Sequence, residues 1–240
     1  MIFDLKGKRK RVVQVTYLGL AFLLAAGLVG AGIGSNATGG LFDAITGKGG
    51  GGSSTADKTI QKRIDAAQQR LALNPKDQAA YAVIVRSHYQ LATAHSNQQG
   101  LFDDKGVGEL QQAASAWTRY TAIADKPDPS LAALVVQAYT GIAQSKKSPQ
   151  DQKPYLTGAA DAAEVVASAR PSVNGYLQLV QYAALAGQER KATLAGQKAV
   201  ALAPKAQKKA VQQQISQAKA QAAQALSAQS QQQQQPAGGG

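Results

Sequence analysis

VNGYLQLVQYAALAGQERKATLAGQKAVALAPKA, residues 173–206, is the stretch on which the fold turns. Tyr176, Leu179, Val180 and Ala183 recur at three- and four-residue intervals, which places them on one face of a helix. Gly187 then allows a tight reversal, because a residue without Cβ enters the left-handed region freely. After it, Ala192 and Ala199 put small groups along one side of a second helix, so that two backbones lie close. Pro204 ends the pair. The result is a helix-turn-helix unit of 34 residues.

The same rhythm extends toward the N-terminus. Ile60, Ile64, Ala67 and Leu71 mark a first helix that stops at Asn74-Pro75. Asp77 opens a second, with Tyr81, Ile84, Val85, His88, Tyr89 and Leu91 on its apolar stripe. A loop containing Asn97, Gly100, Asp103, Asp104 and Gly106 leads to a third helix over 107–124, which carries Trp117 and Tyr120. Pro127-Asp128-Pro129 breaks the chain again. Leu131, Leu134, Val135, Ala138, Tyr139 and Ile142 then predict a fourth helix, 146–154 a polar connection, and 155–169 a fifth helix ending at Arg170-Pro171. Aromatic residues are 5% of the chain, too few for the branched and aromatic surfaces that sheets favour, so the expected class is all-α.

The 173–206 unit resembles the tetratricopeptide repeat (TPR) family, whose units are about 34 residues long with a large residue near the start and proline near the end. Tyr176, Leu179, Val180, Ala183, Gly187, Ala192, Ala199 and Pro204 carry the likeness. Leu71-Ala72-Leu73-Asn74-Pro75 looks like the end of another unit, and Tyr81, Ile84 and Val85 like the next beginning. Ala113, Trp117 and Tyr120 fit a second helix, as do Ala159, Ala163 and Val166 before Pro171. Gly196 departs from the family, which usually has a large aromatic there, so a neighbouring side chain has to fill the gap. The resemblance spans residues 57–206 and implies a right-handed helix-pair solenoid. The alternative packing of the same helices is an irregular bundle. Residues 207–230, with Val211, Ile215, Ala218, Ala222 and Leu226 at helical spacing, read as a capping helix, and 231–240 as a disordered low-complexity tail.

At the other end, residues 12–34 (VVQVTYLGLAFLLAAGLVGAGIG) contain no charge and are long enough for a transmembrane helix, which needs about 20 apolar residues to cross a core of roughly 30 Å. Residues 1–11 hold Lys6, Lys8, Arg9, Lys10 and Arg11 against Asp4, which keeps that tail cytoplasmic and sends the bulk of the chain to the extracytoplasmic side. Ser35-Asn36-Ala37 would satisfy a cleavage site, but the apolar run exceeds that of a signal peptide, so a retained, single-pass signal-anchor in the cell membrane is expected. Residues 35–56 read as a flexible Gly- and Ser-rich linker. Within the span, Ala26, Gly30 and Gly34 recur every fourth residue and offer a small-residue face for homo-oligomers.

The remaining residues carry little chemistry. The chain has no cysteine, which excludes disulfides and thiolate sites. His88 and His95 lie seven apart without further ligands at metal-binding spacing, and His88 falls on the buried stripe as a hydrogen-bonded core residue. Asp103-Asp104, and Asp161 with Glu164, read as solvated carboxylates rather than an acid–base pair. Gly47-Lys48 lacks the Ser or Thr of a phosphate loop. No enzyme activity, cofactor or metal is expected. The formal net charge of +12 does not imply a nucleic-acid partner, because an exported domain does not meet the genome; anionic wall polymers or lipid headgroups fit the location better.

Together these features predict a membrane-tethered protein-interaction scaffold whose groove binds a peptide or protein. The alternative is a non-catalytic structural or assembly subunit of a membrane complex. In the repeat family the first helix of each pair lines the concave side, which puts Arg86, Tyr89 and Gln90, then Gln137 and Thr140, then Asn174 and Gln181 on the binding surface. Arg86 and Tyr89 lead, since Arg and Tyr dominate binding hot spots. The topology is directly testable: a reporter active only outside the cytoplasm, fused after Gly240, should be active, and an internal-only reporter should be silent. The reverse pattern would overturn the exported orientation.

Overall fold

The computed structural model describes residues 53–233. The cytoplasmic tail, the 12–34 span with Ala26, Gly30 and Gly34, linker residues 35–52 and residues 234–240 lie outside the described residues. Within them the chain is all-α: α1 (Ser53–Leu73), α2 (Gln78–Thr93), α3 (Asp104–Thr121), α4 (Pro129–Ser145), α5 (Pro149–Ala169), α6 (Val173–Leu185), α7 (Glu189–Leu202), a short 3-10 turn (Lys205–Gln207) and α8 (Lys208–Gln233). Among the described residues no helix is long and apolar enough to cross a membrane.

Side-chain caps set where the helices begin. The first N–H groups of a helix have no intrahelical partner, and a short polar side chain satisfies one of them. Asp77 accepts from the Ala80 N–H at 2.9 Å, Asp103 from Gly106 at 2.8 Å and Asp128 from Ser130 at 2.8 Å. Ser148 and Ser172 do the same for Asp151 and Gly175. Three starts come earlier than the periodicity predicts, the first being that of α1 at Ser53, inside the stretch 35–56 that reads as linker. Asp103 draws α3 back to Asp104, ahead of residue 107. Ser148, with Pro149 just inside, starts α5 within the stretch that reads as a polar connection. Pro154 is tolerated inside that helix because it and Gln150, whose carbonyl loses its partner, are both exposed. Gln152 is buried and donates through Nε2 to the Lys146 carbonyl at 3.0 Å, which ties the new first turn to the end of α4.

The chain divides into two compact units at Arg170-Pro171. In the first, α1 packs on α2, α2 on α3, α3 on α4 and α4 on α5, and α2 also touches α4. Ile64, Val85, Leu110, Leu131, Val135 and Ile142 are its fully buried large side chains, set among alanines such as Ala92, Ala138, Ala159 and Ala163. The loop between α2 and α3 folds back on itself: Gly100 takes a φ of 74°, Asn97 Oδ1 accepts from the Gln99 and Leu101 N–H groups, and Ser96 bridges Phe102. That fold presents Phe102 to Gly141 of α4.

In the second unit α6 and α7 form a pair around Gly187, whose φ is 73°, and α8 packs on both. Tyr176, Leu179, Val180 and Tyr182 of α6 are buried, and Val211 and Ala222 of α8 join them. Ile215 fills the place at Gly196: a Cβ there would stand 3.2 Å from the Ile215 Cγ2. The gap expected at Gly196 is therefore closed by a side chain of α8.

Two glycines separate packing from propensity. At Gly141 a Cβ would meet the Leu110 Cδ1 at 2.7 Å and the Phe102 ring at 2.9 Å, whereas at Gly108 it meets nothing within 4 Å. Leu110 is fully buried and has no room to yield. Gly141→Ala should destabilise by about 1–3 kcal/mol, the usual cost of overpacking. Gly108→Ala should stabilise by about 0.5–1 kcal/mol through helix propensity. Urea midpoints of the two variants check both signs.

Candidate partner-binding face

The surface where α2 meets α4 gathers four of the seven residues singled out from the sequence. Arg86, about two turns into α2, is exposed and its Nη2 lies 2.9 Å from Asp128 Oδ2, the residue that also caps α4. Three residues on, Tyr89 packs its ring against the cluster of Ala92, Val107, Leu110, Ala114, Ala138 and Ile142. Its hydroxyl donates to the Gln137 Oε1 of α4. Thr140, one turn beyond Gln137, turns its hydroxyl back onto the Val136 and Gln137 carbonyls at 2.9 Å each, so that hydroxyl is occupied within its own helix. Gln90 is half-buried beside Tyr89 on α2.

Asn174 and Gln181 belong to the other unit, on α6, where Asn174 is exposed and Gln181 half-buried. Sequence reasoning misses Asp128 as a member of this face, although its role as a helix opener follows from Asp-Pro; its pairing with Arg86, 42 positions away, leaves no local trace.

Tyr89 and His88 divide the tasks of the second helix. Burial against the cluster pushes the Tyr89 phenol up to about 12, since taking it from water disfavours the phenolate. His88 faces α3 instead, with Nδ1 2.6 Å from Glu109 Oε2 and only 13% of its side chain exposed. A carboxylate only accepts, so the imidazole N–H is the donor in this bond. His95 pairs separately with Asp103 at 3.2 Å. The two histidines are thus each committed to a different carboxylate. Asp103 also caps α3, and the Gly106 N–H holds its carboxyl below the ordinary range, with His95 adding to the effect. Asp77 is lowered in the same way by Ala80, and then by Arg70 at 2.7 Å.

No group of three His, Cys, Asp or Glu among the described residues could hold a metal ion. Asp104 lies in the first turn of α3, and Asp161 and Glu164 are exposed on α5. A cleft lined by Leu101, Phe102, Gly141, Gln144 and Ser145 encloses about 140 Å³, well under the roughly 300 Å³ of a small-molecule site, and it contains no titratable side chain. The chemistry available on the α2–α4 face is hydrogen bonding, charge pairing and aromatic contact.

In the second unit Tyr182 is buried, with Gln178 as its side-chain partner, and its phenol also stands at about 12. Both tyrosines bind a proton more tightly in the folded chain than at their unfolded value near 10. Their contribution is therefore complete below about pH 10 and is lost as pH rises through about 12. Alkaline titration followed by tyrosinate absorbance should show a late-ionising class that shrinks in Tyr89→Phe. The fall of the urea midpoint between pH 10 and 12 should be shallower in that variant; an unchanged slope would contradict the burial argument.

No protein-family model matches the chain, and no curated protein or solved structure matches it either.

Proposed function

We propose that this chain is a membrane-tethered protein-interaction scaffold: residues 12–34 span the bilayer, the helical body lies on the extracytoplasmic side, and helix pairs of TPR type present a groove to a peptide or protein. The observation that carries the reading is the packing order of the first unit. Each helix packs on the next, and α2 also touches α4 across the intervening α3, so the first helices of successive pairs sit side by side. That order is the one expected of stacked pairs in a right-handed solenoid, and it makes a continuous face from Arg86, Tyr89, Gln137 and Thr140. A partner with a carboxylate and a flat apolar group suits that face, the first for the Arg86 fork and the second for the rim of the Tyr89 ring.

The second reading, a structural subunit held in a larger membrane complex, is favoured by one specific observation: Arg86 and Tyr89 are already engaged by Asp128 and Gln137. Residues used to register α2 against α4 need no outside ligand.

Cross-linking in membranes followed by purification in mild detergent separates the two. The scaffold predicts varied, substoichiometric partners whose capture falls at least tenfold in Arg86→Ala/Gln137→Ala, with the helical circular-dichroism melt nearly unchanged, because an exposed ion pair contributes only about 0–1 kcal/mol. One fixed neighbour, captured equally by parent and variant, would overturn the scaffold in favour of the subunit.

A further inference from the structure

Helix α7 is packed the wrong way round for a helix whose only task is to cover a core. Its buried side consists of Ala192, Ala195, Gly196 and Ala199, while its two leucines face out, Leu194 50% exposed and Leu202 47% exposed. The buried side has no use for them, since Ile215 already fills the space at Gly196. Arg190 and Lys198 are exposed at the same four-residue interval, so the outer face reads Arg190, Leu194, Lys198, Leu202 over roughly 18 Å of helix. Lys205 and Lys209, also exposed, stand just beyond. Residues 171–233 hold seven lysines and arginines against a single acid, whereas residues 53–170 hold thirteen against eleven. That acid, Glu189, lies 3.8 Å from Lys219. A lone exposed leucine needs no explanation. Two of them threaded between cations, on the unit whose charge is almost all of one sign, form the pattern of a helix that lies on an anionic interface.

We propose that the outer face of α7 docks on an anionic lipid bilayer. Leu194 and Leu202 enter the boundary between headgroups and acyl chains. Arg190 and Lys198 extend their aliphatic stems along the same face and place their charges at the phosphates. Lys198 is exposed, and its ammonium stands 5.4 Å from the centre of the Tyr176 ring of α6, a surface contact that it exchanges for the phosphates on docking. Charge complementarity selects an anionic partner, and the leucines select a bilayer over a soluble polyanion, which would satisfy the cations and leave the apolar groups in water. The inference rests on the tethered reading in one respect: the 12–34 span keeps a bilayer within reach of this face.

The chain has no cysteine, so Gln197→Cys, exposed on the outer side of α7, gives a single labelling site, and Gln68→Cys on α1 gives a control. The full-length chain, reconstituted in vesicles and carrying a polarity-sensitive fluorophore, is compared in phosphatidylcholine alone and in phosphatidylcholine with phosphatidylglycerol. The expected result is a blue shift at 197, absent at 68, that appears only with the anionic lipid. Arg190→Gln/Lys198→Gln should reduce the docked-to-free ratio about 25-fold, taking about fivefold for each cation removed. Equal spectra in the two vesicles, or a shift in the neutral vesicles produced by added soluble polyphosphate, would overturn the proposal, the latter by assigning the face to a polyanion. Retention on the vesicles through an alkaline carbonate wash reports the span independently of the label, so loss of the tether and loss of docking are read separately.

Discussion

Close approach of helices through alanine and glycine is the constraint on which this structure depends. Interaxial distances fall toward the lower end of the 8–10 Å range only when the residues at the crossing are small. The buried positions Ala80, Ala113, Ala132, Ala160, Ala162, Ala184 and Ala199 meet that requirement along almost every helix. Alanine buries little area, however, at about 25 cal/mol for each Å² removed from water. The few large side chains therefore carry a disproportionate share of the hydrophobic gain, and each needs a place cleared for it. Gly141 clears one for Leu110 and Phe102, Gly158 one for the Tyr139 ring, and Gly196 one for Ile215.

That scarcity of volume shapes the α2–α4 face. The ion pair of Arg86 with Asp128 is half exposed on one side and 38% exposed on the other, so its net contribution is small. Tyr89 is different in kind, because its ring belongs to the core cluster while its hydroxyl reaches the surface at Gln137. The register of α2 on α4 is accordingly held by the ring, and loss of the Arg86–Asp128 pair costs little stability. The packing beneath this face therefore rests on the aromatic ring and hardly on the guanidinium above it.

Most of the helices are legible in the sequence because their signals are local. Asn74-Pro75 with Asp77, Asp128 with Pro129, and Gly187 act within a few residues of where they stand, and the structure has a helix start or stop at each. Periodicity misplaces the start of α5 because Pro154 looks like a boundary from its neighbours, and only its exposure and the buried Gln152 make it an interior residue. Spacing alone does not choose between His88 and Tyr89 for the buried position of α2, and each is half-buried against a different neighbour, Glu109 of α3 for His88 and the cluster around Leu110 and Ile142 for Tyr89. Arg86 with Asp128 and Gly196 with Ile215 join positions far apart in the chain, and periodicity carries no information about such pairs.

Charge is distributed in a way that packing does not require. In residues 53–170 acids and bases nearly balance, while residues 171–233 gather cations at the turn into α8, where Lys208 and Lys209 stand at a helix start with no acid in the first turn. The positive end of the helix dipole makes that a poor place for lysine. Self-repulsion among seven cations works in the same direction. Local rules of this kind are kept where stability alone decides, and are broken where a surface has another task. Among residues 171–233 the single acid, Glu189, offsets Lys219 at 3.8 Å, so the excess of positive charge there is one that packing neither requires nor rewards.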